Sequence, residues 1–151
     1  MEHKRVELCW LRPDRQSDLS LPGYETSGSA GMDVEADIES IVLIEPGGIA
    51  LIPAGFAVSI PDGYELQVRP RSGLAVKSGV TIVNSPGTID SDYRGEVKIG
   101  LINLGDKPYA VHRRDRIAQL VLSPVVRADI RMVKHLDRTD RGAGGFGHTG
   151  V

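Results

Sequence analysis

The sequence predicts an all-β fold, a jelly-roll-like β-sandwich or barrel of short strands with one short helix. Three observations carry that prediction. Short apolar or alternating runs fill the chain from residue 5 to 133, Gly (18) and Pro (9) join Asn and Asp in breaking them at regular intervals, and helical periodicity is scarce. The first run, 6–11, ends in Cys9-Trp10-Leu11, and its strand-like pattern makes Cys9 a buried, inert thiol. Residues 14–29 are polar and poor in branched apolar side chains, which suits a long surface loop. Strands follow at 32–36, 41–44, 49–52 and 56–60, separated by turn residues such as Glu45-Pro46-Gly47-Gly48 and Pro53-Ala54-Gly55. Pro61-Asp62-Gly63 introduces a strand at 65–69, and 74–78 is the one stretch that reads as a helical turn. The runs 80–83, 96–103, 109–111, 117–122 and 130–135, rich in Val and Ile, complete the set, with Asn84-Ser85-Pro86-Gly87 and Asn103-Leu104-Gly105-Asp106 as turns. The end of the chain, 137–151, is Gly-rich without core-forming periodicity. It reads as a mobile arm of the kind that orders on a ligand, set apart from a domain spanning 1–136.

Length and charge exclude several classes. At 151 residues the chain suits one domain, which buries roughly 68–70% of its unfolded surface and needs no disulfide or metal staple. A single Cys cannot form an intrachain bridge. Lys and Arg number 18 against 20 Asp and Glu, and aromatics are 5%, so neither a polyanion-binding surface nor a stacking platform for nucleic acid is indicated. Charges near the N-terminus and the absence of a long apolar run point to a cytoplasmic protein that does not enter membranes.

Three motif-like stretches carry no chemistry. Gly142-Ala143-Gly144-Gly145-Phe146-Gly147 matches G-x-G-x-x-G, but a dinucleotide fingerprint follows a strand and opens a helix, and here the chain ends. Gly73 to Ser78 resembles the end of a P-loop, yet Val76 occupies the required second Gly. His3, His112, His135 and His148 are far apart and lack companions at zinc-ligand spacing.

Other segments do carry chemistry. Arg69-Pro70-Arg71-Ser72-Gly73 joins a strand end to the helical turn, where guanidinium, hydroxyl and backbone N–H groups make an anion site; a charged strand end with a Ser cap is the plainer alternative. In Gly87-Thr88-Ile89-Asp90-Ser91-Asp92-Tyr93-Arg94-Gly95-Glu96, alternation places Asp90 and Asp92 on one face if the segment is extended. Apolar Ile89 implies a sheltered Asp90 carboxylate suited to a general base, against the alternative of an acidic turn balanced by Arg94. Asp33 and Gln119 interrupt apolar strands, so each needs a partner or a ligand. Groups for phosphates, a metal or water, a sugar and a base are all present, together with an arm bearing Arg141 and Phe146. The physical reading is a nucleotide hydrolase.

Five motifs in order resemble those of the trimeric deoxyuridine triphosphatase (dUTP pyrophosphatase) family over essentially the whole chain. They are Ala30-Gly31-Met32-Asp33-Val34, Arg69-Pro70-Arg71-Ser72-Gly73-Leu74-Ala75, Asn84 with Gly87 to Gly95, Arg116-Ile117-Ala118-Gln119-Leu120, and Arg141 to Gly150. The resemblance implies a homotrimeric β jelly roll with active sites shared between subunits. It also implies Mg²⁺-dependent hydrolysis of dUTP to dUMP and pyrophosphate, which keeps uracil out of DNA and supplies dUMP. Position by position, Asp90 is the base that activates water for attack on the α-phosphorus. Arg71, Ser72, Gly73, Gln119 and Arg141 hold phosphates. Asn84, Thr88, Ile89, Tyr93, Lys98 and Phe146 surround uracil and deoxyribose, with Tyr93 rejecting a 2′-hydroxyl and the hairpin 80–89 rejecting a 5-methyl group. Gly147, His148 and Thr149 close the arm, and Asp33 supports the Mg²⁺ through water or meets the arm's arginine.

Two other readings use the same scaffold. A dCTP deaminase-like enzyme needs a glutamate base beyond the acidic motif and lacks a Gly-rich Phe arm; Glu96 stands too close to Asp90 for that role. A catalytically silent nucleotide-binding module predicts loss of Asp90, Tyr93 or the arm, and all are present.

Overall fold

The structure, a computed structural model, describes residues 3–146. Strand β1 (Glu7–Trp10) is followed by a 3₁₀ turn at Pro13–Arg15 and by β2 (Gly23–Tyr24), β3 (Met32–Glu35), β4 (Val42–Ile44), β5 (Ile49–Pro53) and β6 (Phe56–Ser59). After β7 (Tyr64–Arg69) comes helix α1 (Ser72–Ser78), then β8 (Val80–Ile82), β9 (Gly87–Ile89), β10 (Lys98–Asn103), β11 (Tyr109–Val111) and β12 (Arg116–Pro124). The strands form a five-stranded sheet in the order β2-β3-β12-β7-β9, a three-stranded sheet β5-β10-β8, and the pairs β1-β6 and β4-β11. Every pairing is antiparallel. The architecture is the predicted all-β jelly-roll class with one short helix. No helix among the described residues is long and apolar enough to cross a membrane.

Alternation along the strands builds the core. In β7, Leu66 and Val68 point inward, and in β10 Ile99 and Leu101 do, each buried between polar or half-exposed neighbours. Phe56, Leu66, Ile99, Leu101, Ile117 and Leu120 are all at most 2% exposed, and burying each such side chain contributes about 1.5–3 kcal/mol. Trp10 meets Phe56 edge-on, with ring centres 5.8 Å apart, which fastens the β1-β6 pair to this core. Asn103 is fully buried. Its amide donates 2.8 Å hydrogen bonds to the carbonyls of Ile44 and Lys107, and its side-chain oxygen accepts one from Gly105 N.

Four local expectations need correction. The segment 130–135 forms no strand: Ile130, Val133 and especially Met132, 99% exposed, lie outside the core, so its alternation finds no apolar surface to cover. Cys9 is exposed, because the alternation that turns Leu8 and Trp10 toward the core turns Cys9 outward. The loop 14–29 is interrupted by β2, which pairs with β3. Finally, β8 and β9 are not the two arms of one hairpin; β8 joins β10 and β9 joins β7, so the connection between them spans two sheets.

Candidate active site

The central strand β12 places Gln119 opposite Asp33 on β3 and opposite Arg69 on β7. The Gln119 amide donates to the Pro70 carbonyl at 2.9 Å, just before α1 begins. A side chain at Gly31 would collide with the Gln119 carboxamide, so glycine there makes room for it. Asp33 lies 3.3 Å from Arg71 Nε and 3.1 Å from Arg116 Nη1, and Arg71 Nη1 also donates to the Arg116 carbonyl at 3.0 Å. Ser72 and Gly73 form the exposed first residues of α1, where backbone N–H groups have no intrahelical acceptor. Asp33, Arg71, Ser72, Gly73 and Gln119 thus gather at one end of the five-stranded sheet.

Asp90 stands at the other end. It follows β9, whose Ile89 pairs with Leu66, three residues along β7 from Arg69, the partner of Gln119. Strand rise and strand spacing put the Cα atoms of Ile89 and Gln119 about 14 Å apart, with β7 between them. Asp90 lines a cavity of about 370 Å³ with Thr88, Ile89, Tyr93, Lys98, Leu51, Glu96 and Val97. Five of these eight were expected from sequence. Leu51, Glu96 and Val97 were not, since Leu51 comes from a strand distant in sequence and nothing local marks it.

Within this cavity the Tyr93 hydroxyl donates to the Glu96 carbonyl at 3.0 Å. The Tyr93 ring lies over Gly95, where any Cβ would collide with it. Arg94 fixes the loop by donating to the carbonyls of Ser91 and Tyr93 at 2.7 and 2.9 Å. Residues 91–92 form a turn closed by Tyr93 N donating to Asp90 O, so the expected one-face pairing of Asp90 with Asp92 does not arise from an extended strand. The Asp90 carboxylate is also exposed rather than sheltered. Ile89 is buried in the core, and strand alternation turns its neighbour outward. Asn84 lies in the β8–β9 connection, beside Gly87 and outside the cavity wall.

An ion network borders the cavity through Glu96. Arg12 Nη2 reaches Glu96 Oε1 at 2.5 Å and Asp37 Oδ2 at 2.8 Å, while Asp37, 4% exposed, also accepts from Gln16 at 2.6 Å and Arg113 at 2.7 Å. Arg113 continues to both Asp18 oxygens, at 2.9 and 2.8 Å. Burial pushes the Asp37 carboxyl up, but hydrogen bonds from Arg12, Arg113 and Gln16 outweigh it and hold the group below the ordinary aspartate range. The Arg113 hydrogen bond lowers Asp18, and those to Glu96 and Asp37 raise Arg12. This network has no clear signal in the sequence: Asp37 lies between Ala36 and Ile38, but in the run Asp33-Val34-Glu35-Ala36-Asp37-Ile38-Glu39 every second residue is acidic, and nothing local marks Asp37 as the buried one.

The described residues of the C-terminal segment, up to Phe146, are not brought to either end of the sheet. Arg141 Nε donates to its own neighbour Gly144 O at 2.8 Å, and Phe146 is fully exposed. Gly147, His148 and Thr149 lie outside the described residues. Among the described residues no three His, Cys, Asp or Glu side chains converge as a metal cage. Asp33, held between two arginines, is a carboxylate in direct contact with one of the anion-binding groups, Arg71. This donor set fits a Mg²⁺ carried on phosphate oxygens and water, with protein in its outer shell.

A family model described as dUTPase matches residues 17–150. The chain belongs to the dUTPase family. A deoxyuridine 5'-triphosphate nucleotidohydrolase of Desulfotalea psychrophila is 62% identical over 148 residues, covering 98% of this chain and 99% of its own. That of Rhizobium rhizogenes is 56% identical over 149 residues, covering 97% and 96%. Among solved structures, the dUTPase of Staphylococcus bacteriophage 80alpha with dUPNHPP superposes with a TM-score of 0.85 at 26% identity, covering 99% of this chain and all of that one. The dUTPase fold therefore extends through every strand described above.

Proposed function

We propose that this chain is a dUTP diphosphatase that hydrolyses dUTP to dUMP and pyrophosphate, with Asp90 as the general base for the attacking water. The observation that carries the reading is the cavity in which Asp90 meets Tyr93, Thr88, Ile89 and Lys98. Its volume suits a nucleoside, and an exposed carboxylate at its rim is accessible to water. Membership of the family and the phage relative's dUTP analogue support the same substrate.

In this reading Tyr93, folded over Gly95, forms the ledge for the deoxyribose, and a ribose 2′-hydroxyl has no space above it. Thr88, Ile89 and Lys98 flank the nucleoside, and Asn84 reads the uracil edge from the β8–β9 connection. Asp90 holds the attacking water and takes its proton as the α-phosphorus is attacked. Arg71, Ser72, Gly73 and Gln119 bind the phosphates, and positive charge there favours pyrophosphate as leaving group. Asp33 would help hold a hydrated Mg²⁺, which when bound would neutralise phosphate charge.

Because the phosphate groups and Asp90 lie at opposite ends of β7, the reading includes a homotrimer in which different copies supply the two halves of each site. Exposed Leu43, Ile49 and Leu51 give an apolar face next to the cavity that suits such an assembly. Exposed apolar residues of 130–136 likewise suit a neighbouring copy. Residues 137–151 act as an arm, with Arg141 on phosphate, Phe146 over the base and Gly147, His148 and Thr149 behind them. The enzyme is read as cytoplasmic.

The decisive experiment measures pyrophosphate release from dUTP, UTP, dTTP and dCTP, with Mg²⁺ and with excess chelator, and identifies the nucleotide product. Release from dUTP alone, giving dUMP only when Mg²⁺ is present, is expected. Deamination of dCTP, or tight dUTP binding without turnover, overturns the reading.

A further inference from the structure

We propose that Arg12 is a positioning residue for sugar selectivity: acting through Glu96, it fixes the peptide on which Tyr93 rests and so sets the preference for deoxyribose over ribose. This rests on the proposed reaction and adds to it a residue remote in sequence from every motif that the site uses.

The geometry runs in one unbroken series. The Tyr93 ring lies against Gly95 and its hydroxyl donates to the Glu96 carbonyl, so the backbone from Gly95 to the Glu96–Val97 peptide is the surface that sets the ring's height in the cavity. At its C-terminal end that surface is held by the Val97 N–H of the same peptide, which donates to Phe56 O at 2.8 Å. On the near side its anchor is the Glu96 side chain, which lines the cavity at 17% exposure and accepts from Arg12 at 2.5 Å. The same Arg12 nitrogen reaches Asp37, and Asp37 is itself immobilised by Gln16 and Arg113. Gln16 also donates to the Gly55 carbonyl at 2.8 Å and accepts from Arg12 N at 2.8 Å, which fixes the backbone that presents Arg12. A nearly buried, fully hydrogen-bonded carboxylate is a firmer reference point than a solvated side chain, because leaving its geometry exposes an unpaired charge.

The chemistry gives Arg12 a second function at the same place. Glu96 brings a negative charge to the wall of a cavity that must accept a polyanionic nucleotide. Arg12 neutralises it and keeps its oxygen turned away from the substrate. When Arg12 is lost, Glu96 gains freedom to swing into the cavity, and the Tyr93 ledge loses its near-side support.

The test compares kcat and KM for dUTP and UTP, with thermal melting, in the full chain carrying Arg12→Met, Arg12→Lys, Glu96→Gln or Asp18→Asn. Arg12→Met is expected to lower the dUTP-to-UTP ratio of kcat/KM about tenfold, through a higher KM for dUTP with kcat within about twofold. Arg12→Lys, which keeps the charge, recovers part of that ratio. Glu96→Gln, which keeps size and an acceptor, lowers it about threefold and guards against failure of Arg12→Met to fold. Asp18→Asn, which breaks only the outer end of the network, lowers the melting temperature and leaves the ratio unchanged. Arg12→Met and Glu96→Gln that melt early yet keep the wild-type ratio, or that lose both substrates equally, overturn the proposal while the wild-type reaction stands. A wild-type chain inert toward dUTP overturns the reaction and this role with it.

Discussion

The two ends of the five-stranded sheet differ in how complete they are. The Asp90 end is a preformed cavity: Tyr93 is fixed on its peptide, Arg94 ties the loop by backbone carbonyls, and the carboxylate faces water. At the Arg71 end the charged groups are tied to one another, Asp33 lying between Arg71 and Arg116, and Gln119 bonded to Pro70. A preformed cavity selects by shape, whereas a self-paired cluster responds to charge, because an incoming phosphate must compete with Asp33 for the guanidinium. On the proposed reading, recognition of the nucleoside and recognition of the triphosphate are therefore separable by mutation.

The sharpest break comes at the Asp90 end. Asp90→Asn is expected to lower kcat by about 10²–10⁴-fold with little change in dUTP binding, measured by single-turnover kinetics and calorimetry. A variant ending at residue 140 is expected to melt like the full chain and to lose most of its turnover, since the described arm residues contribute nothing to the core; a large fall in melting temperature would make the tail structural. At the other end, Arg71→Met is expected to weaken dUTP and pyrophosphate binding about tenfold while leaving deoxyuridine binding unchanged, checked by calorimetry with each ligand. Equal weakening of all three ligands would erase the distinction between the two ends.

The smallest effect is one of pH and belongs to the network behind the cavity. The Asp37 carboxyl is depressed below its ordinary value of 3.8, so it binds fewer protons folded than unfolded near that value. Its contribution to stability is complete above about pH 5, begins to fall near the ordinary value and is lost as pH falls through the depressed folded value. Thermal melting from pH 7 to pH 2 should fall below about pH 4. Asp37→Asn should be less stable at neutral pH and show a shallower acid fall.

Much of this fold was legible because buried strands announce themselves by alternation. Tyr64–Arg69 and Lys98–Asn103 appear almost where the pattern of Val, Ile and Leu places them. Gln119 and Asp33 were legible for the opposite reason, as polar groups inside apolar runs, and each proves to have a hydrogen-bonded or ionic partner. What could not be read was pairing at a distance. Gly87–Ile89 is three residues long and too short to show a period, and only its register with β7 reveals it as an edge strand. Residues 130–135 failed in the other direction, since alternation reports a face able to be buried and not the surface that will bury it. Asp90 was assigned shelter from its neighbour Ile89, and strand geometry gives the two residues opposite environments.

If Tyr93 is the proposed ledge for the deoxyribose, Gly95 carries a consequence for the heritable accuracy of such a protein. The Tyr93 ring occupies the volume that a side chain at 95 would fill, so that accuracy depends on an atom that is absent. A one-base change in that glycine codon would leave the core, the Asp90 carboxylate and the phosphate groups untouched, yet lift the ring from its rest. Cells carrying it would retain a folded, reactive protein that had become careless about sugars. Loss of fidelity at this position would be read in the nucleotides consumed.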